Sequence, residues 1–92
     1  MFSFDLSPLL KKKLEKINKK DKVLAAATGK KIEEIINNDG KTIDRYKNLR
    51  YDLSDRKRIH IKDNVVLTFK VMKKENFILF MDLGHIDEVY KR

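Results

Sequence analysis

Residues 56–74, RKRIHIKDNVVLTFKVMKK, decide how this chain folds. Ile59 and Ile61 alternate with Arg58, His60 and Lys62, while Val65, Leu67, Phe69 and Val71 alternate with Val66, Thr68 and Lys70. That two-residue period belongs to strands with one apolar face, and a short polar turn separates the two runs. The length of the turn sets the register, because a slip of one residue sends every side chain to the other face. A two-residue turn, Asp63-Asn64, would pair Lys62 with Val65 and His60 with Leu67, mixing charge with core. A three-residue loop over 62–64 pairs Ile61 with Val65 and Ile59 with Leu67 and keeps the apolar residues together, so it is the expected register. The other face then carries Arg58, His60, Val66, Thr68 and Lys70, with an imidazole between two cations as the candidate site.

Working outward, residues 2–6 alternate apolar and polar side chains and predict a short first strand. Ser7 followed by Pro8 predicts a helix start, since serine caps an orphan N–H and proline lacks the donor that would go unpaired there. Leu10, Leu14 and Ile17 form its apolar stripe, and residues 18–20 are read as the break. Asp21 caps a second, antiparallel helix whose Ala25, Thr28, Ile32, Ile35 and Ile36 recur at helical spacing until 37–40 stop it. Gly29 either marks close helix packing or is simply tolerated. Residues 41–55 lack a period and read as an irregular basic connection anchored by Tyr46 and Leu49. Beyond the hairpin, residues 77–83 are apolar on both faces, as in an interior strand covered on both sides. Gly84 ends that strand, and residues 85–92 form a short polar tail. The pattern is α+β, with one domain expected over residues 1–92.

Composition narrows the partners. Twenty-two Lys and Arg against 14 Asp and Glu leave a formal net charge of +8, which favours a polyanion such as nucleic acid over solubility alone. There is no cysteine, so disulfides and thiolate metal sites are excluded and a reducing cytoplasm is the expected setting. No apolar run approaches the roughly 20 residues of a membrane span, and the start lacks the pattern of a secretory signal. The two histidines have no carboxylate at metal-ligand spacing, and no glycine-rich phosphate loop is present, so neither metal nor cofactor is expected.

On RNA, these residues suit acid–base cleavage. Such a reaction needs a base for the ribose 2′-OH proton, an acid for the departing 5′-oxygen, and cations around the phosphorane. His60 and His85 are the side chains whose ordinary pKa suits both proton tasks near neutrality. Arg58, Lys62 and Lys70 supply cations, and Tyr90 can stack on a base or donate its hydroxyl. The alternative for each is an ordinary solvated or packed residue.

The succession RIHIKDNVVLTFKV and FILFMDLGHIDEVYKR resembles the RelE/ParE toxin superfamily, closest to its YafQ-like mRNA interferase branch. The match runs over residues 58–90, through a His-Ile strand, a turn, a second strand ending in Phe-Lys, and a last strand entering Asp-Leu-Gly and then Asp-Glu-Val-Tyr. The resemblance implies an N-terminal helical hairpin packed on a small, curved, mainly antiparallel sheet. It also implies a type II toxin that cuts mRNA in the ribosomal A site, in the cytoplasm, and is neutralised by a cognate antitoxin protein. His60 matches the catalytic histidine of the first hairpin strand, His85 the late histidine and Tyr90 the terminal aromatic residue. Asn64, with Asp63 beside it, stands where relatives carry a functional aspartate, and Lys47 falls near a further histidine. Val66 and Ile86 stand where the RelE branch has arginines, so the implied site is the YafQ version. A ParE-like inhibitor of DNA gyrase and a catalytically inactive nucleic-acid or partner-binding module are the alternatives.

Overall fold

The computed structural model describes residues 1–49 and 56–90, so part of the connection expected over 41–55 lies outside the described residues. The chain forms β1 (Ser3–Leu6), α1 (Pro8–Lys20), α2 (Lys22–Ile36), a 3-10 turn (Thr42–Arg45), β2 (Lys57–Lys62), β3 (Val65–Met72), β4 (Phe77–His85) and α3 (Ile86–Tyr90). The Ser7 hydroxyl accepts the Leu10 N–H at 3.1 Å with Pro8 in the first turn, so α1 starts where expected. The break predicted over 18–20 is corrected, because α1 continues through Lys20. Asp21 alone separates the helices. Its N–H donates to the Ile17 carbonyl and closes α1, while its carboxylate accepts the Leu24 N–H and opens α2. A methyl group on Gly29 would meet nothing within 4 Å, so close packing does not require that glycine.

The four strands make one sheet in the order β1-β4-β3-β2, with β1 parallel to β4 and the other pairs antiparallel. The helical hairpin lies against one face. Leu10 and Ile35 meet Leu67, Phe69, Ile78, Phe80 and Leu83 there, with Ile59, Leu14 and Ile17 at the margin. Turning the chain between β3 and β4 takes residues 73–76, with Asn76 in the left-handed region at φ 51°, a conformation asparagine tolerates.

Two β-bulges decide which side chains reach that core. In the first hairpin Ile59 faces Leu67 as expected, yet the strands close on Lys62 and Val65 around the two-residue turn Asp63-Asn64. Both hold because the register shifts between His60 and Lys62, leaving Ile61 as an extra residue. The three-residue loop and the Ile61–Val65 pairing are thereby corrected. In the second hairpin Thr68 faces Asp82 but Phe69 faces Phe80, so Met81 is the extra residue. Without it Phe80 and Leu83, three apart, would point to opposite faces; with it both enter the core.

β4 is interior to the sheet as predicted, but the strand covered on both faces is β3. Val66, Leu67, Thr68 and Phe69 are buried in succession, whereas Phe77, Leu79 and Met81 on β4 remain half-buried. A face of β3 open at Val66 and Thr68 is thus a second correction. Val66 and Leu49 are buried outside the main cluster, so apolar cover exists on the far side of the sheet as well.

Tyr46 ties α2 to the strands. Its ring meets Phe69 edge-on at 5.6 Å, and its hydroxyl donates to Glu34 Oε2 at 2.7 Å while accepting from Asn38 and Arg45. That hydroxyl, with Lys31 and Arg45 adding to it, holds the Glu34 carboxyl below the usual glutamate value. Lowering the folded pKa stabilises the protein above the unfolded value and loses that contribution as pH falls below about 4.5. Tyr46→Phe should therefore flatten the acid limb of a stability–pH curve measured by urea unfolding. Phe69→Ala, emptying the centre of the core, should cost about 3–5 kcal/mol in the same assay.

Candidate active site

Cross-strand register builds the candidate face row by row. Arg58, Thr68 and Asp82 form one row of it and His60, Val66 and Gly84 the next, while the adjoining row of Lys62, Val65 and His85 closes the hairpin where the extra residue Ile61 interrupts the alternation of β2. On the outer edge of β2, the Arg58 N–H donates to the Lys47 carbonyl at 2.9 Å and the Leu49 N–H to the Arg56 carbonyl at 2.8 Å. The flanking bridge between Asn48 and Lys57 sets Lys47 opposite Arg58. Two like charges placed opposite each other cost stability unless an anion lies between them.

Exposure sorts these residues. His60 and Lys62 are exposed, Arg58 and Lys70 half-buried, and Lys47 exposed at the rim. Arg58 Nε is buried with no hydrogen-bond partner among the described residues. The open part of the face is therefore a strip along β2 and its outer neighbour, not the whole hairpin. Asp63 and Asn64 are exposed at the tip, where Asp63 takes a φ of 51° and the Asn64 carbonyl accepts the Ile86 N–H at 2.9 Å.

The carboxy-terminal end is ordered differently from the polar tail expected after Gly84. His85 is the last residue of β4, and Ile86–Tyr90 forms α3. His85 is exposed, with Nδ1 3.7 Å from Asp87 Oδ2. His60 and His85 do not share a row, and adjacent rows point to opposite sides of a pleated sheet. Two strand spacings also separate them, about 10 Å of backbone. Tyr90 belongs to α3, and its side chain lies outside the described residues.

One interaction here was not anticipated from the sequence. Lys13 of α1 donates to Asp82 Oδ1 at 2.6 Å and to the Leu83 carbonyl at 3.1 Å. A lone carboxylate inside the apolar run 77–83 was the available signal, because a buried acid needs a partner. The partner lies 69 residues away, where no local pattern points.

No family model matches the chain. A protein of Methanocaldococcus jannaschii named "Putative toxin RelE4" is 40% identical over 92 residues, all of this chain and 94% of its own length. The chain belongs to the RelE family of toxins. An uncharacterised protein of Methanosarcina mazei is 31% identical over 90 residues, spanning 98% of this chain and all of that one. Among solved structures, YafQ of E. coli superposes with a TM-score of 0.75 at 14% identity, covering 98% of this chain and 99% of that one. The RelBE toxin-antitoxin complex of E. coli gives 0.71 at 15% identity, covering 92% and 96%. At such identities the likeness is one of fold.

Within this RelE-family fold, Val66 is fully buried, so the position at which the resemblance would set a RelE arginine faces no solvent. A groove of about 420 Å³ opens elsewhere, between α1 and α2, lined by Leu14, Ala25, Thr28, Gly29 and Ile32 and by no residue of β2.

Asp63 offers a separation of roles. At φ 51° glycine is less strained than aspartate, so Asp63→Gly should leave the thermal midpoint unchanged or slightly raised. A fall in the midpoint would show that the Asp63 side chain, not the backbone shape, holds the turn.

Proposed function

We propose that this chain is the toxin of a type II toxin-antitoxin pair, acting as a metal-free mRNA endoribonuclease on the ribosome. The single observation that carries the reading is His60, solvent-exposed on β2 beside the half-buried Arg58 and the exposed Lys62. The sequence kinship to a RelE toxin supports it, and the fold of E. coli YafQ is compatible with it. The unit proposed to act is the whole span of residues 1–92, working in the cytoplasm where ribosomes are.

In the proposed reaction His60 takes the proton of a ribose 2′-OH as that oxygen attacks the adjacent phosphorus. The bond to the 5′-oxygen breaks, giving a 2′,3′-cyclic phosphate and a 5′-OH. Arg58, Lys62 and Lys47 hold the phosphate and stabilise the charge that builds on its oxygens, with Lys70 farther along the strand. His60 and His85 face opposite sides of the sheet, so the leaving 5′-oxygen takes its proton from the Lys62 ammonium, while His85 and Tyr90 meet flanking RNA beyond the hairpin tip, with Asp63 and Asn64 between them and β2. An imidazole and fixed cations supply every proton and charge the step needs, so no cofactor enters it. A cognate antitoxin, by analogy with the E. coli complex of toxin and antitoxin, would keep the chain inactive.

His60→Ala should reduce cleavage of ribosome-bound mRNA by roughly 10²–10⁴-fold with the thermal midpoint unchanged; wild-type cleavage by that variant overturns the assignment. Arrest of DNA supercoiling without RNA products would instead make the chain a gyrase inhibitor. For the His60→Ala protein on single-stranded RNA, four phosphate contacts predict a slope of log affinity against log salt near −3. Arg58→Met should make that slope shallower by about 0.7.

A further inference from the structure

Lys13 differs from every other lysine on α1. Lys11, Lys12, Lys16, Lys19 and Lys20 are exposed, whereas the Lys13 side chain is 23% exposed and its partner Asp82 9%. Ion pairs in open solvent contribute little, but a shielded, short, charge-assisted bond fixes geometry. The Asp82 oxygen that receives the ammonium also accepts the Leu83 N–H at 2.8 Å, so one carboxylate oxygen orients both a distant helix and the local backbone. Immediately beyond, a Cβ on Gly84 would lie 2.9 Å from Glu88 Oε2 and 3.5 Å from Lys13 Nζ. The carboxylate of α3 and the ammonium of α1 thus converge on the same bare α-carbon.

We propose that Lys13 is a positioning residue, fixing the corner at which β4 turns into α3 and thereby the placement of His85 and Tyr90. Five residues are too few for α3 to be stable through its own hydrogen bonds, so its orientation must come from what grips its start. Two ties are present. The Asn64 carbonyl holds the Ile86 N–H from the hairpin tip, and Lys13 with Asp82 holds the strand end from the opposite side. Gly84 leaves the room that Glu88 occupies between them. The catalytic consequence rests on the nuclease reading above; the structural one does not.

The test uses the full chain, with mRNA cleavage on ribosomes and amide hydrogen exchange measured in parallel. Lys13→Met should lower kcat about tenfold or more while KM stays within about twofold, the signature of a misplaced rather than an unbound substrate. Amides of residues 86–90 should exchange about tenfold faster with those of α2 unchanged. Lys13→Arg should restore most of both. The Lys13→Met/Asp82→Asn double variant removes both charges of the ion pair; it should fold like the wild type yet remain slow. Wild-type kcat and unchanged exchange in Lys13→Met or in the double variant overturn the proposal. If the wild-type chain itself cuts no RNA, the nuclease reading fails instead, and faster exchange confined to 86–90 still establishes the corner.

Discussion

The parallel seam between β1 and β4 joins the two ends of the chain, and the placement of everything else follows from it. Ser3 to Leu6 pair in register with Phe77 to Phe80, and the Ser7 N–H continues the ladder onto the Phe80 carbonyl at 2.8 Å. Ser7 then bonds the Met81 carbonyl through its hydroxyl at 2.5 Å while capping α1. One residue therefore ends the seam, begins the helix and sets the helix against the open edge of β4. From that start Lys13 reaches Asp82, and the apolar stripe of α1 lies over the sheet. Parallel pairing of distant segments carries a large loop-closure cost, which the core beneath the helices must offset.

The two bulges show how a sheet with one helical layer accommodates a sequence of imperfect alternation. At Ile61 the extra residue lets a tight turn coexist with the register that buries Ile59 against Leu67. At Met81 it brings Phe80 and Leu83 to the same side. Each removes one residue from the pleat and increases local twist. Both lie close to the end of the sheet that carries His60, Asp82 and His85, so the curvature that shapes the candidate site is set by packing demands on the other face.

Electrostatics divides the molecule in a similar way. Four acidic residues are engaged within the fold: Asp21 and Asp39 accept backbone N–H groups, Glu34 accepts the Tyr46 hydroxyl, and Asp44 pairs with Lys73 at 2.6 Å. Backbone and hydroxyl donors from Thr42 and Lys41 hold the Asp39 carboxyl below the usual aspartate range, and the Lys73 ammonium does the same for Asp44. Spent in this way, these acids leave the strip of Lys47, Arg58, His60 and Lys62 with its positive field.

Local chemistry determined much by itself. Helix starts at Ser7-Pro8 and Asp21, the two strands of the first hairpin, the anchoring of Tyr46 and Leu49, and the grouping of Arg58 with His60 all follow from residue type and spacing, because capping and pleat act over a few residues. What the tertiary structure alone decided is where an extra residue is placed and what covers a face. Whether Ile61 bulges depends on what Ile59 finds on β3; whether Val66 and Thr68 are buried depends on cover from outside their own strand; and the partner of Asp82 arrives from the first helix. Each outcome is settled by competition among contacts far apart in the chain, where burial of area outweighs local pattern and no window of neighbouring residues contains the deciding partner.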